Sequence, residues 1–389
     1  MSEPRNRPSR IRFSAVLAAI VAVVLTGCTA APPAPVQVTR ASVTYRTILA
    51  EFSKRMLDLG APAVLIEARI DGETFSSARG ARSLETSTPA EVTDPVHVAS
   101  VTKSMVAVSV LKLVEEGIIQ IQDPVGRHLP EFDTLMKPPG PVTVEHLLRH
   151  TSGMPNYHDP QLTSRTLQQA LTQPITAEEI LALTAIVPWV LTPGDRMLYA
   201  NANYITLGLI VQRLRGQPIA QIFRSDIIDP LRLTGTHMTG PGPAPANMVH
   251  GYITVDGVRL DTAYLAGLIG NTAAGLVSTV GDVNTFYAAL MDGRLLKPDT
   301  VKEMLLAPEG YGLGLDRWGD ACEGGFYYGH AGDTAGYGTM ALTTPDARRQ
   351  LTINLAYPPG PLNLTPYAPS NELAWEVLRI ARKALDSTC

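Results

Sequence analysis

The stretch "PVHVASVTKSMVAVSVLKLVEEGI", residues 95–118, decides how the rest of the chain is read. From Val101 onward Met105, Val108, Leu111 and Val114 recur at three- and four-residue steps, and Gly117 follows as a stop signal. That pattern predicts an amphipathic helix with a buried face. Lys103 then falls in its first turn, where unpaired N–H groups carry partial positive charge and a cation is disfavoured. Two readings follow. In one, Ser100 caps the helix and Lys103 snorkels into solvent. In the other, Ser100 and Lys103, three apart and on one face, approach each other, and burial drives the lysine toward its neutral form, able to accept the serine proton.

The surrounding chain has 389 residues, 45% hydrophobic and 17% charged, enough to build one large or two moderate domains with real cores. Its start reads differently. Arg5, Arg7, Arg10 and Arg12 precede an uncharged run from Phe13 to Leu25, too short to span a bilayer comfortably, and residues 1–27 are expected to be a secretory signal. The following "LTGC" (Leu25 to Cys28) resembles the lipobox of bacterial lipoproteins, which implies lipidation of Cys28 and a cell-membrane anchor facing outside the cytoplasm. Residues 28–42, rich in Pro and Ala without an apolar period, read as a tether. Cleavage before Cys28 leaves 28 Lys and Arg against 35 Asp and Glu, a net charge near −7, so no nucleic-acid partner is expected. Cys322 and Cys389 then remain as a pair that an oxidising compartment could join, if their separation in space permits.

Strand signals sit at both ends of the chain. Residues 61–83 hold two β-prone runs around Asp71-Gly72, a two-residue hairpin signal, and residues 336–357 repeat the pattern around Pro345-Asp346. The segment "NELAWEVLRIARKAL" (371–385) follows as an amphipathic helix. Between roughly residues 100 and 255 the patterns are helical, with Pro- and Gly-marked loops, as in "EHLLRH", "TAEEILALTAI" and "NYITLGLIVQRL". The expected fold is α/β in the α+β sense, an antiparallel sheet flanked by helices. The sheet would be built from both ends of the chain, with a helical region inserted.

Three short stretches carry the chemistry: "SVTK" (Ser100 to Lys103), "YAN" (Tyr199 to Asn201) and "GHAG" (Gly329 to Gly332). With "HLLRHTSGMPNY", "PGDRMLYANANY", "NTAAGLVSTVGD" and "YGLGLDRW", their order resembles the serine β-lactamase and penicillin-binding-protein superfamily, in its branch of class C β-lactamases, DD-peptidases and related esterases. The resemblance implies a β-lactamase/transpeptidase-like fold with a sheet domain of residues 43–98 and 256–389, an all-helical domain at 99–255 and the cleft between them. It also implies a Ser100 acyl-enzyme, with Lys103 or Tyr199 as the base, and no metal or organic cofactor. Asn201 would donate a hydrogen bond to a substrate amide or to Lys103; His330 would begin a strand lining the cleft, where many relatives carry Lys; Gly332 would let the backbone approach the acyl group. The N–H groups of Ser100 and Asp333 would form the oxyanion hole.

The implied activity is that of an extracytoplasmic serine hydrolase acting on a small-molecule or cell-wall peptide substrate, as an esterase or peptidase. A D-Ala-D-Ala carboxypeptidase or β-lactamase is the nearest alternative. Asp333 beside the cleft would repel a substrate carboxylate unless its side chain points away, which favours esters and neutral amides. Two other classes compete. His146 and His150, four apart with His158 nearby, suggest a metal hydrolase, but the glutamate of the zinc-protease pattern is missing and the pair reads as structural; the Gly-x-Ser-x-Gly elbow is absent as well. The other competitor is a non-catalytic envelope-binding lipoprotein.

Overall fold

The hairpin around Asp71-Gly72 forms as expected and starts the sheet. Strand β1 (Ala63–Ile70) turns into β2 (Glu73–Gly80) through Asp71 and Gly72, with φ of 49° and 88°, the mirror-image turn whose twist matches the strands. The computed structural model describes residues 44–157, 164–322, 324–361 and 372–389. The segments read as signal (1–27) and tether (28–42), Cys28 and His158 lie outside these described residues.

At the far end of the chain β8 (Asp316–Gly319), β9 (Phe326–Thr334), β10 (Tyr337–Thr343) and β11 (Arg349–Ala356) follow one another. They join β1 and β2 in one antiparallel sheet of order β2-β1-β11-β10-β9-β8. Both ends of the sequence thus meet in the sheet, β1 lying against β11. Every residue of β11 is buried, because each face of the sheet is covered. One face carries helix α1 (Tyr45–Asp58) and a C-terminal helix (Leu373–Asp386), which bury Phe52, Met56, Val377 and Ala381 against Val64, Ile66, Ile353 and Leu355. Each large apolar side chain so buried contributes roughly 1.5–3 kcal/mol.

The opposite face packs on the helices that come between. Helix α2 (Thr102–Glu115) is buried nearly all round, so the apolar stripe read from sequence covers only part of its buried surface. Around it lie α3 (Val144–Leu148), α4 (Asn201–Arg215) and α5 (Val280–Met291). A short sheet of β3 (Val96–Ala99), β4 (His237–Met238) and β7 (Leu276–Ser278) leads into α2, while β5 (Tyr252–Val255) and β6 (Val258–Asp261) form a separate hairpin. The start of α2 corrects the capping reading. The cap position is Val101, no side chain caps the helix, and Ser100 sits in the turn between β3 and α2.

Cys322 and Cys389 are disulfide-bonded, their Cα atoms 5.5 Å apart, which ties the β8–β9 connection to the end of the C-terminal helix. Beside the bridge the buried Arg349 pairs with Asp320 and donates to the Tyr327 hydroxyl. Because the bridge closes 67 residues of chain, Cys322→Ser should lower the unfolding free energy by about 2–4 kcal/mol. Urea denaturation measures this. A loss well under 1 kcal/mol would show that the helix is held by its apolar face alone.

Candidate active site

Lys103 is fully buried rather than snorkelled, and its ammonium nitrogen has three neighbours. Nζ lies 3.0 Å from Ser100 Oγ, 2.8 Å from Asn201 Oδ1 and 2.7 Å from the Ala273 carbonyl. Burial drives its pKa well below the usual lysine value, against an opposing pull from Asp316. A neutral amine has two hydrogens and one lone pair. Two of the three partners can only accept, and the third, a hydroxyl, can give. With the amine donating to those two oxygens, a Lys103 that has lost its proton would have its lone pair left for the Ser100 hydroxyl.

Tyr199 completes the group from the loop just before α4. It hydrogen-bonds Ser100, and its ring stands under the lysine, with Nζ 4.9 Å from the ring centre. Burial raises its pKa well above the ordinary phenol value, so it enters as a proton donor. The loop is held by the segment "HTSGMPN", residues 150–156. His150 takes a positive φ of 57° and stacks on Tyr199 with ring centres 4.1 Å apart. Its Nδ1 accepts from the Ala200 N–H at 3.2 Å and from the Asn203 amide at 2.9 Å, while Asn156 Oδ1 accepts from the Asn201 N–H at 3.0 Å. His146 serves a different end, accepting the Thr143 N–H at 3.3 Å to close the start of α3.

The third motif departs from expectation in three ways. His330 lies in the middle of β9 and its side chain is 2% exposed, so it sits beneath the cleft instead of lining it. Its Nδ1 donates to the Ala331 carbonyl and its Nε2 accepts from the Tyr311 hydroxyl at 2.9 Å. Burial pushes its pKa down to about 3, and the ring is neutral. Gly332 is required by a close approach, but to β3: a Cβ there would meet the Val98 carbonyl oxygen at 2.2 Å. Asp333 turns its carboxylate to the other face of the sheet, where the Tyr357 hydroxyl donates to it at 3.2 Å. The repulsion expected from Asp333 therefore does not reach the cleft. Asn201 is corrected too, since its side-chain oxygen accepts from Lys103 rather than its amide donating.

Strand pairing fixes what β9 presents to the cleft. The β9–β10 hairpin closes on Thr334 and Tyr337 across a two-residue loop, so alternate residues His330, Gly332 and Thr334 bond to β10. The N–H groups of Ala331 and Asp333 face the opposite edge, and β8 pairs only as far as Gly329. The edge beyond is therefore where Asp333 aims its N–H, beside the turn that carries Ser100.

Asp316, Tyr311 and His150 were not singled out by sequence as members of this group. Asp316 begins β8 with Oδ2 3.7 Å from His330 Nδ1 and 3.5 Å from the Ala331 nitrogen. Burial raises its pKa to about 7. The loop before it is clamped onto α2: Gly314, at φ 84°, approaches so closely that a Cβ would lie 2.3 Å from that of Ala107, and the Ser104 hydroxyl donates to its carbonyl at 2.8 Å. The phrase "YGLGLDRW" contains both Tyr311 and Asp316, and its glycines were the available signal.

Comparison with known proteins agrees with this geometry. A family model described as Beta-lactamase matches residues 48–367. A penicillin-binding protein of Bacillus subtilis is 25% identical over 287 residues, which is 68% of this chain and 61% of that protein. The chain thus spans about three fifths of the length of that curated relative. Among solved structures, a D-stereospecific amidohydrolase from Streptomyces sp. is 26% identical, with a TM-score of 0.71 over 80% of this chain and 94% of the other. A D-amino acid amidase from Ochrobactrum anthropi reaches a TM-score of 0.74 over 89% and 99% of the two chains at 22% identity, a likeness of fold alone.

Holding Lys103 neutral costs stability. With its folded pKa depressed, the unfolded chain binds the extra proton, so the cost is present below the unfolded lysine value and eases as pH rises toward it. Between pH 7 and 9 the unfolding free energy of the wild type should climb relative to Lys103→Met, by up to about 1.4 kcal/mol per pH unit. Parallel urea-denaturation curves over that range would refute a neutral Lys103.

Proposed function

The chain belongs to the beta-lactamase family, and from that premise we propose that it is a serine hydrolase acting on an ester or amide through acylation of Ser100. The observation that carries this reading is the Lys103 amine, 3.0 Å from Ser100 Oγ with its other two contacts to groups that only accept. Ser100 Oγ attacks the substrate carbonyl while its proton passes to Lys103 Nζ. The carbonyl oxygen becomes an anion between the N–H groups of Ser100 and Asp333, each such donor being worth about 3 kcal/mol. Collapse breaks the bond to the leaving group, which takes its proton from Tyr199, and Lys103 returns the serine proton to Tyr199. Water then attacks the acyl-enzyme by the same relay in reverse.

The likeness to a D-stereospecific amidohydrolase supports an amide or ester substrate. A D-Ala-D-Ala carboxypeptidase or β-lactamase remains the second reading, favoured by the name of the Bacillus relative. Such substrates carry a carboxylate that calls for a cation, and the neutral His330 supplies none. The signal and lipobox add a placement, a lipid-anchored protein outside the cytoplasm.

A fluorophosphonate probe tests the nucleophile. It should label the wild type and fail to label Ser100→Ala, whose unfolding midpoint stays within a few degrees of wild type, since only a small partly exposed group is removed. Full labelling of that variant would end the assignment. For the placement, Cys28→Ala should move the protein from the membrane to the soluble fraction on cell fractionation, whereas unchanged membrane association would refute the anchor.

A further inference from the structure

The serine-hydrolase reading leaves one charged group of the cleft unused. Asp316 stands at the first residue of β8, where that strand stops covering β9, so its carboxylate lies in the plane of the sheet beside the open edge. Its side chain is one quarter exposed, unlike the buried His330 next to it. The close approach at Gly314 holds the backbone just before it against α2. Its charge opposes ionisation of Tyr199, Tyr204 and Tyr311, which places it within electrostatic reach of the whole catalytic group.

In the serine-hydrolase reading the leaving group departs beside Tyr199. Tyr199 must hand it a proton, and the Tyr199 ring centre is 6.3 Å from that of His330, whose Nδ1 is 3.7 Å from Asp316. Among the described residues no cation beyond Lys103 and His330 is found acting on Asp316. Lys103 is held toward neutrality and His330 is neutral. Arg149 is committed to Glu145 and the Leu306 carbonyl, and Arg317 to the Phe326 ring farther along the sheet edge. A substrate group extending past Ala331 along this edge meets one ionisable oxygen pair, with no charged cation among the described residues shown to offset it.

We propose that Asp316 is a specificity-determining residue, which makes the enzyme prefer substrates whose leaving group is positively charged and reject those whose leaving group carries a carboxylate. This rests on the serine-hydrolase reading above and adds a substrate class to it. An ammonium on the leaving group would pair with the Asp316 carboxylate and hold it ionised. A carboxylate would bind either against that charge or at the cost of protonating Asp316.

Three phenyl acetates differing only in the meta substituent provide the test: trimethylammonio, methyl and carboxylate. In the wild type, kcat/KM divided by the rate of hydroxide-catalysed hydrolysis should fall from cation to neutral to anion, by at least tenfold overall. Dividing by the hydroxide rate removes the intrinsic reactivity of each ester. Asp316→Asn should shrink that range to within about threefold, and Asp316→Glu should restore part of it. An unchanged range in Asp316→Asn, or a wild type that favours the anion, overturns the proposal. If the Asn variant does not fold, the wild-type order decides alone. Failure of all three esters to show Ser100-dependent turnover would instead sink the serine-hydrolase reading, and this one with it, whereas neutral turnover without charge discrimination sinks only this one.

Discussion

The buried amine of Lys103 is the constraint from which the rest of the site follows. A lysine in the first turn of a helix and wholly removed from water cannot keep its proton cheaply, because burial and the helix end both oppose the charge. The surroundings make neutrality affordable without supplying a full counter-ion. Two accepting oxygens take its hydrogens, and Asp316 opposes the shift without reversing it. The same burial that destabilises the folded chain leaves a lone pair pointed at Ser100. Stability and reactivity are linked through one nitrogen.

Holding that geometry requires backbone close to backbone. The turn carrying Ser100 is pressed against β9 at Gly332, and the loop carrying Asp316 is pressed against α2 at Gly314; in both places a side chain would collide with a neighbour. The Tyr199 loop is fastened differently, through His150 and Asn156, whose polar atoms take its backbone N–H groups. Three elements far apart in sequence thus converge because each is locked by a local feature: two glycines and one histidine in the left-handed region.

Those local features explain what could be read in advance. The Asp71-Gly72 hairpin and the amphipathic C-terminal helix were legible because their signals lie within a few residues. Ser100, Lys103 and Tyr199 were legible as a group because their motifs keep a family order, and the structure does bring them together. The direction of each side chain on β9 was not. Strand alternation says that neighbours face opposite ways, but only the β9–β10 register says which way, and that register puts Asp333 behind the sheet and His330 beneath the cleft. Asp316 was invisible for a related reason. A lone aspartate after a leucine has no meaning until the turn at Gly314 brings it against α2.

The exchange of Asp333 for Asp316 changes the physical account of specificity more than its sign. A side chain standing on a sheet face acts on what lies above that face, whereas one at the end of a short edge strand acts along the edge, where an extended substrate runs. Asp316 is in that second position, and its neighbour His330 is buried and uncharged. The field at the leaving-group end is then set by one carboxylate with a pKa of about 7, raised by burial and held back from rising further by the Ala331 N–H. A group so poised responds to whatever approaches: a cation makes it fully ionised and an anion favours its protonated form, so discrimination is strongest toward the ligand that changes its protonation least. Recognition on this edge is therefore a matter of linked charge, governed by the same burial that lowers the pKa of Lys103.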